Sequence, residues 1–158
     1  MPRALERPMP LRSGEAQNLL FNAVLPAVDG TKVVPRSGCG PRLIYLVGGH
    51  GDGRLSTVEL YDPQAASWTQ RAGMAGPRSL LGCVALDGKL YAVGGVGPTG
   101  QDIDTAEVYD PQTDGWQPLA KMSTARSGFG LAAVGGKVYA IGGFNAGSIL
   151  DSVEAYDP

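Results

Sequence analysis

Leu43-Ile44-Tyr45-Leu46-Val47-Gly48-Gly49, Leu90-Tyr91-Ala92-Val93-Gly94-Gly95 and Val138-Tyr139-Ala140-Ile141-Gly142-Gly143 are three versions of one phrase. The glycine pairs lie 46 and 48 residues apart. Each apolar run is short, rich in β-branched and aromatic residues, and stopped by two glycines, so it reads as a buried strand. Paired glycines at a strand end let the backbone leave at dihedrals that a Cβ forbids, and let another segment approach closely. Three such phrases at one spacing make the chain a repeat protein.

Working outward, a loop of variable length follows each glycine pair. Then come Thr57–Pro63, Ala106–Pro111 and Val153–Pro158, which alternate apolar and polar residues like strands with two different faces. Each ends in Tyr-Asp-Pro, where the Asp can bond its own turn backbone and the Pro cannot donate to a ladder. Five residues after Pro63 and Pro111 stand Trp68 and Trp116, each opening a further short strand. Asp114-Gly115 is a hairpin signal before Trp116, whereas the first repeat offers only Ala66-Ser67. Pro77-Arg78-Ser79 and Ala125-Arg126-Ser127 lead into Gly82–Leu86 and Gly130–Val134. The tight turns Asp87-Gly88 and Gly135-Gly136 return the chain to the glycine-pair strand. Four short antiparallel strands per period make one propeller blade, and the fold class is all-β.

Composition agrees with this reading. The 158 residues include 24 Gly and 12 Pro, as a turn-dense β fold requires, and the net charge is −2. No basic block argues for nucleic acid or an anionic membrane, and no apolar run approaches the ~18–20 residues of a membrane span. Met1–Gly14 has three arginines but no apolar centre, so it does not read as a secretory signal. Cys39 and Cys83 are too few for a disulfide framework, which suggests a reducing, cytoplasmic setting. Residues 1–35 lie outside the repeat and are punctuated by five prolines after the first residue. They are expected to be irregular or disordered, with Glu15–Val24 the one stretch able to form a short helix.

Several motifs invite a chemical reading. Gly95-Val96-Gly97-Pro98-Thr99-Gly100 is a literal G-x-G-x-x-G after a strand, but a dinucleotide site needs a helix to start there, and Pro98 and the next strand leave no room for one. Gly135-Gly136-Lys137 lacks the hydroxyl residue of a P-loop, since Val138 follows, and reads as a hairpin turn. His50 is the single histidine. With Asp52 nearby and no third ligand it assembles neither a metal site nor a triad. No catalytic residue, cofactor or metal is expected. Glu59, Glu107 and Glu154 recur in register, as do Arg78 and Arg126, and recurrence points to architecture: backbone donors satisfied, or Glu–Arg pairs between blades. Tyr61, Tyr109, Tyr156, Trp68 and Trp116 read likewise as blade-packing aromatics.

The double glycine, the downstream Tyr-Asp-Pro, the spaced Trp and the Arg-Ser before the next blade together resemble a tandem kelch-repeat protein, over roughly residues 36–158. The resemblance divides the chain into an N-terminal segment, 1–35, and repeats at 36–76, 77–124 and 125–158. It also implies a strand order from the centre outward of Leu80–Leu86, Lys89–Val93, Thr105–Tyr109 and the Trp116 strand. The first repeat departs from the pattern. Arg36 to Tyr45 is 9 residues where Arg78 to Tyr91 and Arg126 to Tyr139 are 13, too short for an inner strand and its turn. In metazoan kelch-like proteins that strand is often supplied by the C-terminal end. The third repeat stops before a Trp-bearing outer strand. The expectation is therefore a partial kelch propeller of about two and a half to three blades, from a fragment or truncated form, whose exposed apolar faces favour self-association.

The loops His50–Ser56, Val96–Asp104 and Phe144–Ser152 fall at one point of each repeat and share almost no sequence, as a binding rim on a rigid scaffold does. In kelch-like substrate receptors such loops grip a partner peptide. The rim residues singled out are His50, Asp52, Arg54, Val96, Asp102, Phe144 and Asn145. The acidic residues Asp52, Asp102, Asp104 and Asp151 argue against an acidic peptide. Resemblance implies a non-enzymatic protein-binding module that recognises substrates for a cullin-3 ubiquitin ligase, reached only through BTB and BACK domains absent from this sequence. An actin-associated kelch scaffold is the alternative, and a kelch-fold enzyme a further one.

Overall fold

Three antiparallel sheets stand side by side, and the reason lies in the glycine-pair strands at the second position of each. The computed structural model describes residues 22–26 and 42–158. The middle blade is the complete pattern: β5 (Gly82–Leu86), β6 (Lys89–Val93), β7 (Ala106–Asp110) and β8 (Gly115–Pro118), in the order β5-β6-β7-β8. Asp87 and Gly88, both at positive φ, close the turn that pairs Leu86 with Lys89. The Asp-Pro corner is held by the Asp110 carboxylate, which accepts the Gln112 N–H at 2.9 Å. Asp114 then takes φ 49° to bring Trp116 opposite Tyr109. Ala66 adopts the same φ without an Asp-Gly sequence to favour it, so the neighbouring Tyr61–Trp68 pairing imposes the turn.

The first blade corrects the sequence expectation. It has four strands, in the order β1-β2-β3-β4: β1 (Asn22–Pro26), β2 (Arg42–Val47), β3 (Val58–Asp62) and β4 (Ser67–Arg71). Asn22–Pro26 pairs antiparallel with Arg42–Val47, Asn22 opposite Leu46 and Pro26 opposite Arg42. The inner strand expected to be missing comes from within residues 1–35. The end of the helix expected at Glu15–Val24 is extended chain instead. Pro26 closes the strand, a position where a missing N–H does little harm. Arg36, Ser37 and Cys39 lie outside the described residues.

The third blade contains β9 (Gly130–Val134), β10 (Lys137–Ile141) and β13 (Val153–Tyr156), in the order β13-β10-β9. A small hairpin, β11 (Phe144–Asn145) with β12 (Ser148–Ile149), rises from its loop. Inner strands β1, β5 and β9 are neighbours in space, which is the arrangement of a partial propeller.

Two apolar clusters join the blades. Tyr45, Val47, Val58, Leu60, Met74, Leu81, Leu90, Ala92 and Tyr109 fill the space between the first and second blades, with Trp116 packed against them. Tyr91, Val93, Ala106, Phe129, Val138 and Ala140 fill the space between the second and third. Alternation along β6 sends Leu90 and Ala92 to one cluster and Tyr91 and Val93 to the other, so both faces of the middle blade are buried.

Candidate functional site

The first two glycine pairs are where one blade meets the next. All six glycines have φ between 57° and 112°. A Cβ on Gly94 would stand 2.6 Å from the Arg126 carbonyl oxygen, and one on Gly48 the same distance from that of Arg78. In these two pairs the second glycine donates to that same carbonyl, Gly49 to Arg78 at 2.9 Å and Gly95 to Arg126 at 2.8 Å. The residue after the pair is thereby delivered to the rim. Val96 exchanges backbone hydrogen bonds with Ser79 at 2.7 and 3.1 Å, and Phe144 does so with Ser127 at 2.9 and 3.0 Å.

The recurrent arginines hold the feet of the rim loops. Arg78 Nη1 donates to the carbonyls of Gly94 (3.4 Å) and Thr105 (3.0 Å), the two ends of the 96–104 loop. Arg126 Nη1 donates to Gly142 (2.9 Å) and Ser152 (3.2 Å), the two ends of the 144–152 loop. Each guanidinium is buried, Arg126 completely, and each is neutralised by the recurrent glutamate: Arg78 to Glu107 at 2.6 Å, Arg126 to Glu154 at 2.7 Å. These pairs lie within a repeat and not between blades. It is the second role of the glutamate that crosses the junction. Glu107 Oε2 accepts the Ala75 N–H, and Glu154 accepts those of Ser123 and Thr124, all on segments arriving from the preceding blade.

The electrostatics follow from this burial. Desolvation lowers the Arg78 pKa, partly offset by the Glu107 carboxylate. Burial pushes the Glu154 carboxyl upward, but the Ser123 N–H, the Arg126 guanidinium and the Thr124 N–H outweigh it and leave the group below the usual carboxylate range. Glu59 occupies the matching position of the first blade, where the matching Arg36 is outside the described residues.

Three unlike loops form the rim, two of them standing on these feet. His50 and Asp52 are exposed in the first, and Arg54 is half-buried, pairing with His50 across a bridge and reaching toward Gly100 of the second loop. Val96 is half-buried and pairs with Asp102, whose carboxylate accepts the Ala146 N–H of the third loop at 2.8 Å. Asn145 is half-buried, while Phe144 is 48% exposed and Ile149 80%. The named rim residues therefore line neighbouring loops. Asp104 turns away to pair with Lys121 at 3.5 Å.

Leu80 and Ile149 were missed by sequence reasoning. Leu80 is exposed at φ 51°, a left-handed conformation that glycine takes at the matching Gly128. A bulky residue there costs about 1–2 kcal/mol, and Leu in the slot Gly128 fills was a readable signal. Among the described residues no cluster of three or more His, Cys, Asp or Glu is placed to hold a metal ion. The surface presents apolar side chains and unpaired carboxylates on fixed supports, an arrangement for binding.

Comparison with known proteins matches this geometry. The kelch motif matches residues 36–75, 77–123 and 125–158. Kelch-like ECH-associated protein 1B of Danio rerio is 43% identical over 74 residues, 45% of this chain and 13% of that protein. Kelch-like protein 40 of Mus musculus is 38% identical over 60 residues, and Kelch-like protein 28 of Homo sapiens 39% over 68, which are 10% and 12% of their lengths. The similarity thus spans a small part of each relative. Three motif copies over most of the sequence, folded as successive blades with a loop-bearing rim, show that the chain belongs to the kelch-repeat family and is a protein-interaction module.

Proposed function

We propose that the chain is the substrate-recognition part of a kelch-like adaptor of a cullin-3 ubiquitin ligase, binding a partner protein at the loop rim and performing no chemistry itself. The observation that supports this is the contrast between the loops and their feet. Two of the three divergent loops stand on Arg–Glu pairs with buried guanidinium groups that fix both ends of each. Such a scaffold holds a binding surface in one shape while its sequence varies. Phe144, Ile149 and Leu80 supply apolar contact, and exposed Asp52 and Asp151 favour a neutral or basic segment over an acidic one. The test is to fuse the chain to the BTB and BACK domains of a kelch-like relative and measure ubiquitin transfer onto proteins cross-linked at the rim. Transfer that needs both cullin-3 and Phe144 is expected. Capture that is unchanged in a variant carrying His50→Ala and Phe144→Ala would remove the rim from the proposal.

A further inference from the structure

An Asp-Gly step is a place where a polypeptide can isomerise unaided. The glycine nitrogen attacks the aspartate Cγ, water leaves, and the succinimide ring so formed takes up water again at its other carbonyl. Glycine permits this because it has no Cβ to obstruct the approach. Three such steps, Asp52-Gly53, Asp87-Gly88 and Asp114-Gly115, lie among the described residues. Alike in sequence, they are held differently.

Asp114 is clamped. Its carboxylate accepts the Tyr109 hydroxyl at 2.6 Å and the Ala72 N–H at 3.0 Å. Those bonds, Tyr109 first, hold the carboxyl below its usual range and so in the ionised form that is slow to lose its oxygen as water. Just beyond the step, Trp116 Nε1 donates to the Ala72 carbonyl at 2.8 Å and fixes the following strand. Asp87 is exposed, but its backbone is fixed. Asp87 and Gly88, at φ 49° and 77°, form the two-residue turn that sets Leu86 opposite Lys89. Swinging the Gly88 nitrogen onto Asp87 Cγ would open that hairpin.

Asp52 has neither restraint. It is exposed, lies outside the left-handed region, and its carboxylate makes no hydrogen bond or ion pair among the described residues. Two bonds shape its loop, from the Gly51 N–H to the Gly53 carbonyl at 2.8 Å and from the Leu55 N–H to the Gly49 carbonyl at 3.0 Å. Both leave the Gly53 N–H unused among the described residues. A Cβ added to Gly53 would meet nothing within 4 Å, so a ring closing there has room. Nucleophile, carboxyl and space coincide at this step alone of the three.

We propose that Asp52 is a modification site, where the Gly53 nitrogen closes on Asp52 Cγ and hydrolysis of the ring converts residue 52 to isoaspartate. The carboxyl OH and the Gly53 N–H proton leave together as water, one water returns in the hydrolysis, and nothing is oxidised or reduced. The product runs its main chain through the former side chain, one methylene longer, and carries the α-carboxylate as a side group. His50 and Arg54 face one another across this loop, and Arg54 reaches toward Gly100 of the second loop. Isomerisation therefore reshapes the meeting of the first two rim loops as the molecule ages, whichever partner the rim takes.

The intact chain is incubated for weeks in warm neutral buffer and treated with a protein isoaspartate methyltransferase and labelled S-adenosylmethionine, which esterifies the freed α-carboxyl. Peptide mass spectrometry then locates the label. Clamped steps react only when they open locally, so label at residue 52 should exceed that at 87 and at 114 about tenfold or more. Incubation in denaturant should bring the three within a few-fold of one another, since only the fold separates them. Gly53→Val, which crowds the nitrogen, should cut the label at residue 52 with little change in Tm. Amide NMR of the aged chain should show shifts at His50, Arg54 and Gly100 and none at Gly115. Equal labelling of the three steps in the folded chain, more label at Asp87 or Asp114 than at Asp52, or none at Asp52 would overturn the assignment.

Discussion

Replacing the first glycine of each pair by alanine should give unequal costs for one motif. Gly94 and Gly142 share a sequence context and a left-handed backbone, φ 57° and 63°. Alanine at either position incurs about 1–2 kcal/mol of left-handed strain. At Gly94 the new Cβ also collides with the Arg126 carbonyl at 2.6 Å and with Phe129 and Met122 at 2.9 and 3.0 Å. Moving that carbonyl weakens the bond from Gly95, about 1 kcal/mol, and displacing packed side chains adds about 1–3 kcal/mol. At Gly142 the nearest atom is the Leu150 carbonyl at 3.3 Å. Gly94→Ala should therefore cost about 3–6 kcal/mol in all and Gly142→Ala about 1–2. For a chain of this size, at about 2–4 °C per kcal/mol, the two Tm values should differ by roughly 4–16 °C. Gly48→Ala, with the Arg78 carbonyl 2.6 Å away, should behave as Gly94→Ala. Thermal unfolding by circular dichroism gives the comparison. Exchange of the Gly94 and Gly142 amides, bonded to Thr105 and Ser152, separates it from fraying of the third blade. Equal costs at Gly94 and Gly142 would refute the close approach of blades as the reason for the motif.

Four further outcomes follow from the ion pairs and from Cys83. Glu107→Gln leaves the Arg78 guanidinium buried without its counter-ion and should cost about 3 kcal/mol in denaturant unfolding. Lys121→Ala, whose exposed partner is Asp104, should cost less than about 1 kcal/mol. Because the folded-state pKa of Glu154 is lowered, its contribution is fully present above the ordinary carboxylate range and is lost as pH falls through the lowered value. An acid titration of stability should flatten below about pH 4 in Glu154→Gln, which a pH series of denaturant midpoints will show. Burial pushes the Cys83 thiol up to about 12, so at neutral pH its alkylation, followed by peptide mass spectrometry, should track unfolding and not reagent access to the native state.

The repeating part of the architecture was legible because its signals are local. Apolar runs closed by glycine pairs, Asp-Pro corners and two-residue turns each act within a few residues, and the middle blade matches its reading strand for strand. What escaped were interactions between distant segments. Asn22-Ala23-Val24-Leu25-Pro26 is a short apolar run that periodicity alone assigns neither to helix nor to strand, and its role is set by β2 across an intervening connection. The rim was legible as divergence among the three loops. Its internal ties were not, because the Asp102–Ala146 bond spans 44 residues. The recurrence of Arg and Glu announced a structural pair, but only the fold shows that each guanidinium grips both ends of the loop beside it.

Ala72, held on one side by Asp114 and on the other by Trp116, has a consequence for how the chain is made. Its partners lie 42 and 44 residues further along the sequence. A ribosome adding about 5–20 residues per second emits them roughly 2–9 s after Ala72. During that interval the first blade has its strands but neither its latch nor the Arg78–Glu107 pair that fixes the segment leading out of it. Nascent blades are thus completed one repeat late, each by its successor. Throughout that interval Ala72 has neither of these two partners.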